Sequence, residues 1–400
     1  MAPVAVSDYS LVSALGHGRA ATLDALRAGR SGLVKRGFET AQLDTWLGVV
    51  DGAEQVRFPS ELAGFDCRNN QLAELGLRAD DFAAGVRRAV QRFGAARVGV
   101  FLGTSTSGIL ATEIAYRHRD PATGALPASL DYARTHNTYS VARYVRESLG
   151  LLGPAHVVST ACSSSAKVFA TAARMIAAGL VDAAVVGGVD SLCMTTLYGF
   201  NALELVSPDI CRPWDAERAG LSIGEAAAFA LLERDAERPM AWLLGAGESS
   251  DGHHMSSPHP EGAGAAAAMR GALASAGLAP ADVDYLNLHG TGTPGNDAAE
   301  DRAVCSVFGS TLPCSSTKGF TGHTLGAAGG VEAAIVMLAL QHGVMPAALN
   351  LRRPDPALQA QMVRQTQLRP LQVAASNSFG FGGSNACLVF GAADRVEAAA

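Results

Sequence analysis

The sequence carries little charge for its length, and the balance leans slightly negative. Against 37 Asp and Glu stand 31 Lys and Arg in 400 residues, a formal net charge of −6. No basic cluster is available to neutralise phosphates, which excludes a nucleic-acid-binding surface. Cysteine is scattered rather than paired: Cys67, Cys162, Cys193, Cys211, Cys305, Cys314 and Cys387 form no Cys-x-x-Cys. Zinc ribbons and thioredoxin-type motifs are therefore absent, and no metal site is expected. An odd, dispersed set reads as thiols in a reducing compartment. The N-terminus lacks a basic start followed by an apolar run, and no uncharged apolar stretch reaches about 18 residues. Arg174, Asp182 and Glu332 interrupt the longest candidates. A soluble cytoplasmic protein without membrane contact is the expectation.

Several catalytic and cofactor signatures are missing too. There is no Gly-x-x-x-x-Gly-Lys-[Ser/Thr] phosphate loop and no Gly-x-Ser-x-Gly elbow. "GAGESSDG" (245–252) lacks the third glycine and the helix of a dinucleotide loop. His253, His254 and His259 share a polar stretch and read as solvated loop residues rather than metal ligands.

What is present is apolar and small. Hydrophobic residues make up 48% of the chain and glycine contributes 44 positions, the profile of a globular protein with a large core and many tight turns. Short apolar runs alternate with alanine-rich helical segments, which predicts α/β layers around a largely parallel, buried sheet. Strands are expected at 97–102, 156–160, 183–187, 227–232, 242–247, 285–289, 373–377 and 387–390, with helices at 164–178, 264–276, 297–306 and 326–341. The two halves, 1–240 and 241–400, read in similar order. Each has a reactive residue after a strand: Cys162 in the first, His289 in the second.

Cys162 lies in "VVSTACSSSAK" (157–167), between a β-branched run and a segment where Ala166, Phe169, Ala170, Ala173 and Ile176 recur at helical spacing. The helix would aim its free N–H groups and positive dipole end at the sulfur. Holding a thiol of pKa near 8.5 as thiolate at pH 7 costs roughly 2 kcal/mol. A helix N-terminus contributes about 0.3–1 kcal/mol, and up to roughly 2 in partly buried geometry. Placement alone therefore brings the sulfur within reach of a thiolate, although a small buried cysteine at a strand end would look the same.

Three further motifs shift the balance toward chemistry. In "LHGTGTPGNDAAE" (288–300), His289 is followed by Gly290 and Gly292, which admit close backbone approach to a ligand, and by the hydroxyls of Thr291 and Thr293. "SSTKGFTGHTLGAAGGVEAA" (315–334) sets Lys318 and His323 before an alanine-rich helix that carries Glu332. "NSFGFGGSNAC" (377–387) is a glycine-crowded turn able to aim backbone N–H groups at a developing oxyanion.

At these residues the sequence resembles the β-ketoacyl-acyl carrier protein synthases, condensing enzymes of the thiolase superfamily. "TACSSS", "CRPWDAERAG…GEAA" (211–227), "HGTGTPGND", "STKGFTGHTLGAAGGVEA" and "NSFGFGGSNA" occur in the family's order and at about its spacing. The resemblance implies a thiolase-like, duplicated α-β-α-β-α layered fold and a dimer. It also implies a Cys162–His289–His323 triad, with Cys162 as acyl acceptor and the two histidines acting on a malonyl thioester. It places the backbone N–H groups of Cys162 and Phe381 in an oxyanion hole, with Phe381 as gate beside Phe379. Thr291 and Thr293 fall at phosphopantetheine-binding positions. Lys318 belongs, with Asp297, Glu300 and Glu332, to a buried charged network. No cofactor is permanently bound; phosphopantetheine arrives on an acyl carrier protein.

Departures from the family pattern concern substrate and partner. Thr106 falls at an acyl-pocket position, Trp214 replaces a usual phenylalanine, and "FDCRNNQLAEL" (65–75) keeps only Arg68 as a basic residue for carrier docking. Segment 121–148 is unlike housekeeping fatty-acid enzymes, pointing to polyene or polyketide-like pathways. A coenzyme A-dependent thiolase is the rival reading; it would need a catalytic cysteine in the last glycine-rich motif, where Asn377-Ser-Phe-Gly-Phe stands instead. A non-catalytic chain-length factor would lack the nucleophile. The catalytic member of a pair with such a subunit fits as well as a homodimer.

Overall fold

Ten strands of one sheet build the frame in the computed structural model, which describes residues 1–395. They are β1 (Val4–Ser13), β2 (Val98–Gly103), β3 (Ala155–Val158), β4 (Ala183–Asp190) and β5 (Ala226–Glu233) in the first half. The second half supplies β6 (Ala241–Ser250), β7 (Tyr285–Asn287), β8 (Pro313–Ser315), β9 (Val373–Gly380) and β10 (Ser384–Ala392). β4 and β5 are buried along their whole length and carry near-continuous apolar side chains, as strands covered on both faces must.

The strand order is β3-β2-β4-β5-β1 in the first half and β8-β7-β9-β10-β6 in the second, so each strand has its counterpart five places later. β2 pairs parallel with β3 and β4, and β7 pairs parallel with β8 and β9. β5 and β10 then run antiparallel to their neighbours in both halves. The halves meet along β1 and β6, antiparallel with Val4 opposite Leu243. The expectation of a largely parallel sheet is corrected to this mixed pattern. β9 and β10 are joined by a three-residue turn, which only an antiparallel pair allows; the longer β4–β5 return carries a helix, Met194–Ala202.

Helices complete the layers. α1 (Ser164–Ala177) and α4 (Ala328–His342) share one core cluster with strands of both halves, including Phe169, Val331, Ile335, Ala230 and Phe390. Outside the first-half strands, Leu72, Phe82, Val86 and Tyr144 from helices Arg68–Arg78, Phe82–Phe93 and Ser140–Ser148 form a second core. Outside the second half, α2 (Ala263–Ala276) and α3 (Pro294–Phe308) form a third, with Met269, Leu273 and Val304. The result is α-β-α-β-α, the thiolase-like arrangement expected from the sequence.

α4 explains a composition signal. Leu325–His342 is long and apolar enough to cross a membrane, with a mean hydropathy of 1.3, yet it lies 89% buried at the centre of the fold. A helix apolar all round is what a central layer requires. Its Glu332 has a buried partner, described below.

The duplication also revises one pairing. Cys162 follows β3, and the counterpart of β3 is β8, which leads to His323. His289 follows β7, so its counterpart is the Thr104–Ser107 turn after β2. The true counterpart of the nucleophile position is therefore His323, not His289. His289 itself lies two residues beyond the end of its strand.

Candidate active site

Three chain turns bring the reactive side chains together. Ala161, in left-handed conformation (φ 52), presents Cys162 immediately before α1. His289 stands in the turn between β7 and α3, and His323 between β8 and α4. The sulfur of Cys162 and one ring nitrogen of each histidine all lie within 4.8 Å of one another. The two imidazoles meet edge to face, centroids 5.3 Å apart. All three line a single cavity of about 360 Å³ with Thr291, Thr293, Phe379 and Phe381.

The turn carrying His289 is held by buried carboxylates. Glu300 accepts the backbone N–H groups of His289 (2.8 Å) and Gly290 (2.7 Å) and the Asn377 amide (3.1 Å). Asp297 accepts the N–H groups of Gly292 (3.2 Å) and Trp214 (3.1 Å) and pairs with Arg218 at 3.5 Å. Gly290 sits at φ 40, and a Cβ there would stand 2.4 Å from the Ser316 side chain, so this turn admits no larger residue.

Lys318 is buried behind the histidines and donates to Glu332 and to the His289 carbonyl. Its ammonium also lies 3.3 Å from His289 Nδ1. A cation donating to Nδ1 leaves the His289 proton on Nε2. His323 reaches the same tautomer by another route: the Leu325 N–H donates to its Nδ1 at 3.1 Å. Two Nε2–H groups therefore belong to the cavity side. Lys318 and Glu332 form one hydrogen-bonded pair, whereas Asp297 and Glu300 clamp the backbone; the charges of Asp297 and Glu300, and of Glu300 and Glu332, also act on each other.

Burial sets the charge state. It pushes the Cys162 thiol up to about 12, with Lys318 and the Phe381 backbone N–H pulling the other way and Asp190 and Glu332 adding to the rise. Burial, with Lys318 beside them, holds both imidazoles well below the usual histidine range. Burial also raises the carboxyls of Glu300 and Glu332 to about 7, against backbone donors in the first and Lys318 in the second. The expected resting thiolate is thus corrected to a thiol facing two neutral imidazoles. Desolvation of a cysteine only 5% exposed outweighs the helix terminus behind it.

Thr291 and Thr293 hydrogen-bond each other at 2.8 Å on the cavity wall. Phe379 rests 5.7 Å from His289, and Phe381 packs on Phe200 at 5.5 Å. Thr106 does not line this cavity; it is fully buried and its hydroxyl donates to Asp190 at 2.9 Å. Arg68 is no free docking residue, since its guanidinium grips the buried Glu225 carboxylate at 2.8 Å. Phe200, Asn377 and the Leu325 N–H were not legible as site groups, because only tertiary packing brings them there.

Fold and site together define a thiolase-like condensing enzyme whose cavity gathers one cysteine and two histidines. The chain matches the family models "Beta-ketoacyl synthase, N-terminal domain" over residues 1–238 and "Beta-ketoacyl synthase, C-terminal domain" over residues 240–352, and belongs to that family. It is 32% identical to 3-oxoacyl-[acyl-carrier-protein] synthase 2 of Vibrio cholerae, over 97% of this chain and 98% of the relative. Among solved structures, a ketosynthase in complex with its chain length factor from Xenorhabdus doucetiae superposes with a TM-score of 0.88 at 39% identity, covering 98% of each chain. The ishigamide ketosynthase/chain length factor gives the same TM-score at 28% identity, covering 98% of this chain and 99% of that one. The chain is accordingly a carbon–carbon bond-forming acyltransferase of fatty-acid or polyketide synthesis.

Proposed function

We propose that the chain extends an acyl group held on Cys162 by decarboxylative condensation with a malonyl thioester on an acyl carrier protein. The reading is carried by one observation: a buried thiol and two neutral imidazoles, each protonated on Nε2, share one cavity. In the first step Cys162 attacks the acyl thioester, the carrier thiol leaves, and the cysteine proton passes to it through an imidazole. In the second the malonyl C–C bond breaks to release CO2. The electron pair remains on the thioester as an enolate whose oxygen is held by the Nε2–H groups of His289 and His323. The enolate carbon then attacks the Cys162 thioester carbonyl. The Cys162 and Phe381 N–H groups hold that oxyanion, and its collapse releases the cysteine, which regains a proton. A carrier-bound β-ketoacyl chain is the product.

The phosphopantetheine arm belongs to the carrier and delivers each acyl group as a thioester. Thr291 and Thr293 offer hydroxyls along the cavity wall suited to its amides. The reaction is one of the cytoplasm. A second chain of the same fold is the favoured companion: β3 is an edge strand with His156 exposed, and Tyr132, Tyr139 and Tyr198 lie exposed on the first half. Resemblance to ketosynthases paired with chain length factors supports a heterodimer of that kind, in a polyene or polyketide pathway.

The test supplies acyl-carrier and malonyl-carrier and follows carrier-bound products by mass. A β-ketoacyl carrier with equimolar CO2 is expected; coenzyme A thioesters consumed without CO2 would support a thiolase instead. A second outcome concerns pH. The thiol titrates far above neutrality and the imidazoles well below it, so above the range near 7 where Glu300 and Glu332 change charge, acyl loading of Cys162 stays flat between about pH 8 and 9. A loading rate that climbs tenfold per unit through this range would show a thiolate-limited reaction.

A further inference from the structure

Asp190, at the end of β4, is a fully buried carboxylate of the first half that makes no hydrogen bond to the triad. It collects donors from two directions. From the turn after β2 it accepts the Thr104 hydroxyl (2.7 Å), the Ser105 N–H (2.8 Å), the Ser105 hydroxyl, and the Thr106 N–H and hydroxyl (both 2.9 Å). From the second half it accepts the N–H of Gly326 at 2.5 Å. A Cβ on Gly326 would stand 2.7 Å from Asp190 Oδ2, so only glycine allows this approach.

Gly326 ends a short chain of constraints that begins at His323. Leu325 is left-handed (φ 53), a conformation unfavourable for a leucine unless its neighbours impose it. That conformation aims the Leu325 N–H at His323 Nδ1. On the nucleophile side the counterpart strand end makes a close backbone approach instead. Gly380, at the end of β9, packs on the Thr160 carbonyl beside Cys162, and a Cβ there would meet that carbonyl at 2.5 Å. β4 and β9 are counterparts, as are the Cys162 and His323 turns. The end of each strand therefore braces the reactive turn of the opposite half.

We infer that Asp190 is a positioning residue for His323: by holding Gly326 it fixes the Leu325 turn that keeps the His323 proton on Nε2, facing the cavity. The inference rests on the condensing role proposed above. It assigns to one carboxylate its main task in the decarboxylation half-reaction: Asp190 makes no hydrogen bond to Cys162 or Phe381 and reaches the thiol only through its charge.

Asp190→Asn places an amide N–H against at least one backbone donor and loosens the grip on Gly326. Release of CO2 from malonyl-carrier falls at least about 100-fold, while stoichiometric acyl loading of Cys162 stays within about threefold of the parent. In 15N-histidine spectra, His323 Nδ1 of the parent is the unprotonated nitrogen, and in the variant that preference weakens. Thr104→Val removes a donor from the other side of the same carboxylate and leaves the ratio of the two half-reactions unchanged. If Asp190→Asn does not fold, Asp190→Glu, which keeps the charge but displaces it by one methylene, is measured for the same split. Proportional loss of both half-reactions, loss of loading alone, or no change in either overturns the inference. A parent protein that releases no CO2 from malonyl-carrier overturns the condensing role instead.

Discussion

Cys162→Ala loses acyl loading altogether and leaves the fold in place. Removing a covalent nucleophile from an assembled site commonly costs four or more orders of magnitude. No other thiol can substitute, because none of the other six cysteines lines the cavity. The stability cost is small, about 1 kcal/mol, since one sulfur is lost from a site that already borders a cavity. Mass analysis after incubation with acyl-carrier checks the first statement, and thermal unfolding checks the second. An acylated Cys162→Ala protein would remove the nucleophile assignment. The same chemistry governs alkylation. A thiolate at a helix opening would be modified well before the other six cysteines, but Cys162 is a buried thiol and Cys305 is the most accessible. Slow alkylation of Cys162, accelerated by its imidazole neighbours and competing with Cys305, is the expected pattern.

Much of this site could be read from the letters because its parts are local. Cys162, His289, Lys318 and His323 each lie within a few residues of glycine, alanine or hydroxyl residues whose spacing marks a strand-to-helix turn. α1, α2 and α4 were legible for the same reason: alanine-rich periodic segments of 14 or 15 residues bounded by turns. Helix Arg68–Arg78 was not. Its sequence "RNNQLAELGLR" carries two asparagines in its first turn, poor helix formers that are buried here, so packing rather than propensity decides it. Strand direction and the partnership of Cys162 with His323 depend on the order of strands in space, which no window of residues encodes. The thiolate expectation failed because a helix terminus is visible in sequence whereas the depth of burial opposing it is not. Asp190 ends an apolar run as any solvent-facing strand end would. Only the fold shows six donors converging on it.

Lys318→Met tests the electrostatic core of the site. Methionine matches the length of the lysine stem but has no charge and no donor, so Glu332 remains buried without its partner. Breaking a buried pair from one side costs about 3–5 kcal/mol. Glu332 lessens that cost by binding a proton, since burial already raises its carboxyl to about 7. Sign follows from this: above pH 7 the variant's deficit relative to the parent is largest, and it shrinks as pH falls and the lone carboxyl is neutralised. Catalysis fails separately. Without the ammonium 3.3 Å from Nδ1, His289 is free to move its proton off Nε2, and one of the two enolate donors is lost. Removing a single oxyanion-type donor costs about 10²–10³-fold. Malonyl decarboxylation therefore drops by at least that factor while acyl loading persists. The double variant Lys318→Met/Glu332→Leu separates the two effects. With the orphaned carboxylate gone, thermal stability returns to near the parent value, but decarboxylation does not. Recovery of both together would mean that Lys318 serves only the packing of α4, and that the tautomer of His289 is set by something other than the lysine.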